Sequence, residues 1–236
     1  MIKRAMILAA GFGKRIYPLT LKTPKPLLKV GKTTLLYNTI KFLELLGIKE
    51  VVINVHHLGE QIIEYINKRK LNLNINIIKE ENKILDTGGA ILNAINNFSK
   101  DPFIIINPDT IWNINYLNEI KLMEKIFLKE KEAKCALLIV DKKKSFDKSL
   151  SGDFNLKNSL IVRKGKKKLN FIYTGFQIIK PEVFSNLNKK VFSINVIWDD
   201  LIKKNQLFGI KSDINFLHIS TLKTYQRIIK KNLNII

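Results

Sequence analysis

Cysteine is nearly absent. The one thiol in 236 residues, Cys135, lies inside the apolar run KCALLIV, so no internal disulfide framework exists. Long apolar runs are missing as well, and none approaches the ~18 residues that a membrane span needs. The first apolar stretch, residues 5–10, is too short for a signal-peptide core and runs straight into Gly11 and Gly13. These absences predict a cytoplasmic protein with no membrane association. Acidic residues are scarce, 20 Asp and Glu against 41 Lys and Arg, leaving a net charge of +21. Such an excess raises the question of nucleic acid. The basic clusters DKKKSFDK and RKGKKK have no interleaved aromatic pattern on which bases could stack, and Lys, Ile and Asn are heavily used along the whole chain. A compositional bias accounts for the charge, and no nucleic-acid partner is expected. Proline is sparse too, yet three of the six fall within residues 8–28, LAAGFGKRIYPLTLKTPKPLL, beside two glycines and four basic side chains.

The chain is long enough for one domain with a substantial core. RAMILAA reads as a strand, followed by the loop just quoted and a helix over about residues 34–46 ended by Gly47. EVVINV and NINIIK are strands, with GEQIIEYINKRK a helix between them; TGGAILNAINNF opens a helix and PFIIIN is a fourth strand. Short, β-branched strands alternating with helices predict an α/β fold, a Rossmann-like doubly wound, mostly parallel sheet. After about residue 130 the alternation loosens. KCALLIV, NSLIVR, NFIYTGFQII, LFGIK and INFLHI are strand candidates, with helices near residues 196–204 and from Thr221. One domain over residues 1–236 follows, with a nucleotide-facing half (about 1–112) and a less regular acceptor-facing half (about 113–236).

Ligands of such sheets sit beyond the carboxyl ends of the strands, and the loop at 11–28 leaves one. Gly11 and Gly13 let backbone N–H groups approach phosphate oxygens, Arg15 can fork onto the same oxygens, and Lys25 is held between Pro24 and Pro26. Two familiar phosphate motifs are excluded. VGKTTLL lacks the first glycine of a Walker loop, because position 26 is proline, and GFGKRI has Ile16 where a dinucleotide fingerprint needs its third glycine. His56 and His57 end a strand without metal-ligand spacing to a third group and read as surface or polar packing.

The stretch LAAGFGKRIYPLTLKTPKPLL resembles the LAAGxGxRxxPLTxxxPKPL signature of the sugar-1-phosphate nucleotidyltransferases. DTGGA resembles the [DE]TGG turn of that family, NPDTIW its strand-end Asp motif and YTGFQII the strand that lines its sugar pocket. With SGDFNL, the short chain looks most like the N-acetylmuramate α-1-phosphate uridylyltransferases, with mannose-1-phosphate guanylyltransferase the alternative. A non-catalytic regulatory homologue is the alternative of another class. The resemblance implies the nucleotide-diphospho-sugar transferase fold and a reaction of an NTP, UTP foremost, with a sugar 1-phosphate, within cell-wall recycling. It implies Arg15, Lys25 and Asp109 as catalytic residues; Leu8, Ala9, Ala10, Gly11, Gly13, Lys14, Arg15, Lys25, Thr87, Gly88 and Gly89 around the nucleotide; and Asp153, Phe154, Thr174 and Gly175 around the sugar phosphate. Asp109 is the expected ligand of Mg²⁺, or alternatively Mn²⁺. The family carries a second metal-binding Asp in a late W-x-D-x-G-T pattern, but here FLHISTLKTY puts Phe216, His218 and Ser220 at the Trp, Asp and Gly positions and keeps Thr221. His218 is thus the candidate at the second ligand position, offering nitrogen where Mg²⁺ prefers hard oxygen. Asp213 would need a slipped strand to take its place.

Overall fold

The computed structural model describes residues 1–163, 168–185 and 187–231. Of the RKGKKK cluster, residues 164–167 lie outside the described residues. The chain runs β1 (Arg4–Leu8), a short hairpin of β2 (Lys29–Val30) and β3 (Thr33–Thr34), α1 (Leu35–Leu45), β4 (Glu50–Val55), α2 (Gly59–Asn67), β5 (Asn74–Lys79), α3 (Asp86–Ala94), β6 (Phe103–Ile106) and α4 (Tyr116–Lys129). It continues with β7 (Cys135–Asp141), β8 (Asn155–Lys157), β9 (Leu160–Val162), β10 (Phe171–Ile179), α5 (Asn195–Lys203), β11 (Leu207–Ser212) and α6 (Leu222–Ile229). Nine strands form one sheet in the order β5-β4-β1-β6-β10-β7-β11-β9-β8. The pairings β5–β4, β4–β1, β1–β6 and β7–β11 are parallel, while β10 runs antiparallel to both β6 and β7. The expected mostly parallel sheet is present.

Period-2 alternation divides the strands between two cores. Ala5 and Ile7 of β1, Val51 and Ile53 of β4, and Ile104 and Ile106 of β6 pack with α1, α2 and α4. Met6, Val52, Phe103 and Ile105 point the other way, onto α3 and α5. The helices cover both faces, so the central strands read as unbroken apolar runs. α1 starts where Thr34 accepts the Tyr37 N–H at 3.2 Å and gives way to Gly47 at φ +80°.

Two expectations need revision. The sequence reading assigned no helix between PFIIIN and KCALLIV. α4 fills that interval, with Tyr116, Ile120, Met123 and Phe127 at helical spacing against the first core. INFLHI is not a strand. It lies across the carboxyl ends of the sheet strands and pairs one residue at a time with different neighbours, Phe216 beside Ser145 and His218 beside Thr110.

Candidate active site

A cavity of about 410 Å³ opens at the carboxyl ends of β1 and β6. The loop leaving β1 forms one wall, and it is built of three single turns of 3-10 helix, Lys14–Ile16, Leu19–Leu21 and Lys25–Leu27. Gly13 takes φ +64°, and a Cβ there would stand 2.9 Å from Thr20 Cγ2. A Cβ on Gly11 would meet no protein atom within 4 Å. Thr20 ties the loop to itself, its hydroxyl donating to the Gly13 carbonyl at 2.9 Å. Leu8, Ala9, Ala10, Gly11, Gly13, Lys14, Arg15, Lys25, Thr87 and Asp109 all line this cavity.

At its floor, Asp109 follows β6 and accepts a hydrogen bond from the Lys25 ammonium on Oδ2. The same oxygen lies 3.2 Å from His218 Nε2. The backbone locks these partners together: Ile219 N–H donates to the Asp109 carbonyl at 2.9 Å, and Ile111 N–H to the Leu217 carbonyl at 2.8 Å. Burial alone would raise the Asp109 pKa, but the Lys25 ammonium and the His218 ring outweigh it and hold the carboxyl well below its ordinary range. Asp109 Oδ1 and His218 Nδ1 are buried without a hydrogen-bond partner. Among the described residues no group of three His, Cys, Asp or Glu could enclose a metal. An ion bound here would have the one carboxylate of Asp109 to hold it, and water and ligand phosphates would have to complete its shell. Asp213 does not line the cavity; it is exposed and paired with Lys144 at 3.0 Å.

The remaining predicted residues lie elsewhere. Gly88 and Gly89 do not line the cavity, and their small size serves packing instead. A Cβ on Gly88 would sit 2.4 Å from the Phe192 ring, and one on Gly89 2.2 Å from the Lys190 carbonyl oxygen. The Gly89 N–H is already bonded to the Phe192 carbonyl. Phe154 is fully buried in the second core with its ring 5.7 Å from Trp198, and it does not line this cavity. Asp153 is exposed, and its carboxylate accepts the Tyr173 N–H. Thr174 and Gly175 form an irregularity in β10 behind the cavity. The Thr174 carbonyl accepts the Thr110 hydroxyl at 2.6 Å, and the Gly175 carbonyl accepts the Asn107 N–H at 2.8 Å. They support the loop that carries Asp109 without lining the cavity.

Several lining residues escaped the sequence reading. Asn54 and Glu80 are both buried; Asn54 accepts the Ala9 N–H at 3.0 Å and donates to Glu80 at 2.7 Å, and Glu80 accepts the Leu85 N–H at 2.8 Å. This chain of bonds joins the loop after β1 to the start of α3. A polar residue in the apolar strand EVVINV was the available signal. Ser220 lines the cavity and donates to Asp147, which also accepts from Ser149 and Thr224. Burial pushes the Asp147 pKa up, yet these donors prevail and hold it at about 2.

The cavity of about 410 Å³, walled by glycine backbone and basic side chains with a carboxylate among them, offers an α/β sheet's strand ends the charge and room for a phosphorylated ligand. The chain belongs to the nucleotidyl transferase family, whose model matches residues 4–148. Over 92% of its length it is 27% identical to an N-acetylmuramate alpha-1-phosphate uridylyltransferase of Caulobacter vibrioides, covering 91% of that protein. It is 30% identical to the protein of the same name from Neisseria meningitidis serogroup B, over 93% of this chain and 94% of that one. A mannose-1-phosphate guanyltransferase of Schizosaccharomyces pombe is 25% identical over 94% of this chain, which spans 62% of that protein. Among solved structures, HddC from Yersinia pseudotuberculosis complexed with GMP-PN superposes with a TM-score of 0.75 at 22% identity, covering 98% of this chain and 99% of that one. The chain is accordingly a sugar-1-phosphate nucleotidyltransferase in fold and family.

Proposed function

We propose that this enzyme joins UTP to N-acetylmuramate α-1-phosphate, giving the UDP-sugar and pyrophosphate. The observation that carries the reading is similarity: the two uridylyltransferase relatives are 27% and 30% identical to this chain over more than nine-tenths of it, and the guanyltransferase relative is 25% identical. A phosphate oxygen of the sugar 1-phosphate attacks the α-phosphorus of the NTP, a P–O bond forms, and the bond to the β-phosphate oxygen breaks with pyrophosphate departing. The nucleophile is largely dianionic at neutral pH, since the second phosphate pKa is about 6. It needs no general base. The barrier is charge crowding and alignment, which falls to preorganised donors and cations.

In this reading the backbone around Gly11 and Gly13 receives the triphosphate, Lys14 and Arg15 stand at its rim, and Lys25 turns from Asp109 to the α-phosphate. Asp109 would hold Mg²⁺, which when bound supplies positive charge to the phosphate oxygens. His218 orients the Asp109 carboxylate through Oδ2 instead of ligating the ion directly. A place in cell-wall recycling and in the cytoplasm follows from this substrate pair.

The alternative, GTP with mannose 1-phosphate, draws on the guanyltransferase relative and on the GMP-PN complex of the structural neighbour. A matrix of four NTPs against N-acetylmuramate, mannose, glucose and N-acetylglucosamine 1-phosphates, read as pyrophosphate release, separates the two. UTP with N-acetylmuramate 1-phosphate should exceed every other pair. Faster turnover of GTP with mannose 1-phosphate would replace the reading, and silence across the matrix would remove it.

A further inference from the structure

Phe12, the residue between the two glycines of the cavity loop, turns away from the fold's two cores and is held by the β4–α2 turn. Its ring meets His56 edge-on, centroids 5.6 Å apart at 89°, and His57 at 5.4 Å and 48°. The Lys14 ammonium stands 5.4 Å from the centroid of the same ring. Both histidines are fixed in turn. His57 Nε2 is 2.7 Å from the Thr20 carbonyl oxygen, and His56 Nδ1 contacts the Glu80 carbonyl. One helical turn on, Gln61 donates to the Lys22 carbonyl at 3.0 Å, a third tie from this turn to the loop. The backbone directly after the two rings is unusual, for Leu58 adopts φ +53°, ψ +34°. A bulky residue rarely takes that conformation unless its surroundings impose it.

We infer that Phe12 is a positioning residue for the nucleotide, held by His56 and His57 so that the loop keeps its phosphate-receiving shape and Lys14 is poised at the cavity rim. The reasoning is energetic. A glycine-flanked loop has much conformational freedom to lose when a ligand binds. Anchoring its central residue and the Thr20 carbonyl removes part of that loss beforehand, which is preorganisation. The ring adds a directional element: an aromatic face attracts an ammonium, which an aliphatic side chain of similar bulk does not. The inference rests on the proposed reading of this cavity as the nucleotide site.

Two measurements test it, one independent of turnover. Hydrogen exchange of the amides of residues 11–22 in the nucleotide-free protein should quicken about tenfold in Phe12→Leu and His57→Ala, and return towards the native rate in His57→Gln, which keeps an N–H for Thr20. In steady-state kinetics Phe12→Leu should raise KM for the NTP about five- to tenfold and leave kcat within about twofold, the pattern of lost uniform binding. Lys14→Met should add little to that increase in the double variant, because both changes remove the same arrangement. Native exchange rates in Phe12→Leu would overturn the clamp, as would a fall in kcat with unchanged KM, or an equal defect in His57→Gln and His57→Ala. If His57→Ala fails to fold, Phe12→Leu and His57→Gln still decide. If the native enzyme turns over no NTP, the functional reading fails, and loop exchange alone judges the clamp.

Discussion

The ammonium of Lys25 rests on the carboxylate of Asp109, with only 15% and 18% of the two side chains exposed. Each group neutralises the other before any phosphate arrives, so removing the lysine has two consequences. Lys25→Ala should lower kcat by about 10²–10³, the usual cost of losing one preorganised donor. It should also destabilise the fold by about 1–3 kcal/mol, because a largely buried carboxylate loses its main partner. Denaturant titration checks this, and Lys25→Ala/Asp109→Asn should recover stability without recovering activity. Unchanged stability in Lys25→Ala would show that the pair contributes nothing to the fold.

His218 contacts the same Asp109 oxygen, so its replacement tests the metal assignment. His218→Asp should place two carboxylates together and lower the melting temperature in EDTA. Added Mg²⁺ should then raise it by more than in the native protein, and half-maximal activity should need less Mg²⁺. Asp109→Asn should be nearly inactive at any Mg²⁺ concentration. Identical Mg²⁺ responses of His218→Asp and the native protein, in both melting and rate, would place His218 away from the ion.

Asp147 ties Ser220 and Thr224 to the strand end that precedes it. Its folded pKa of about 2 lies below the ordinary 3.8, so its contribution is present above about pH 4 and is lost as pH falls through 2. Asp147→Asn should cost about 2 kcal/mol at neutral pH. In chemical-denaturation curves the gap from the native protein should narrow below pH 4 and nearly close at pH 2. A gap independent of pH would mean that the carboxylate charge is not what the hydroxyls recognise.

Gly175 sits at φ +89°, and a Cβ there would come within 2.9 Å of Asn107 Cβ. Gly175→Ala should destabilise the protein by about 2–3 kcal/mol. It should also slow turnover of the folded enzyme about tenfold by displacing the loop that carries Asp109. Native kcat in a destabilised variant would separate the β10 irregularity from the site.

The first half was legible because each strand and helix there repeats a simple period, and because the cavity loop is made of residues with few other uses. Lys25 could be singled out by the prolines around it, but not its burial, since its partner lies 84 positions away. Phe154 and the pair Gly88 and Gly89 show the converse limit. A motif identifies positions that tolerate little change, and close packing against Trp198, Phe192 and Lys190 restricts them as firmly as a ligand would. The residues 214–219 read as a strand because their apolar alternation is real. It is satisfied by burial across the strand ends, not by a ladder. Asn54 and Glu80 were hidden because a buried polar residue is intelligible only beside the group that satisfies it.

The crossing of residues 216–220 over the strand ends also bears on how the enzyme comes into being. The family match stops at residue 148, yet β7 finds both its neighbours, β10 and β11, beyond that point, and so do His218 and Ser220. A ribosome that has already released Lys25 and Asp109 has made a site with one side open and a sheet with an unpaired edge. Activity should therefore switch on late and abruptly during synthesis. Dividing the gene near residue 148 should yield two inert pieces that regain function only when they meet.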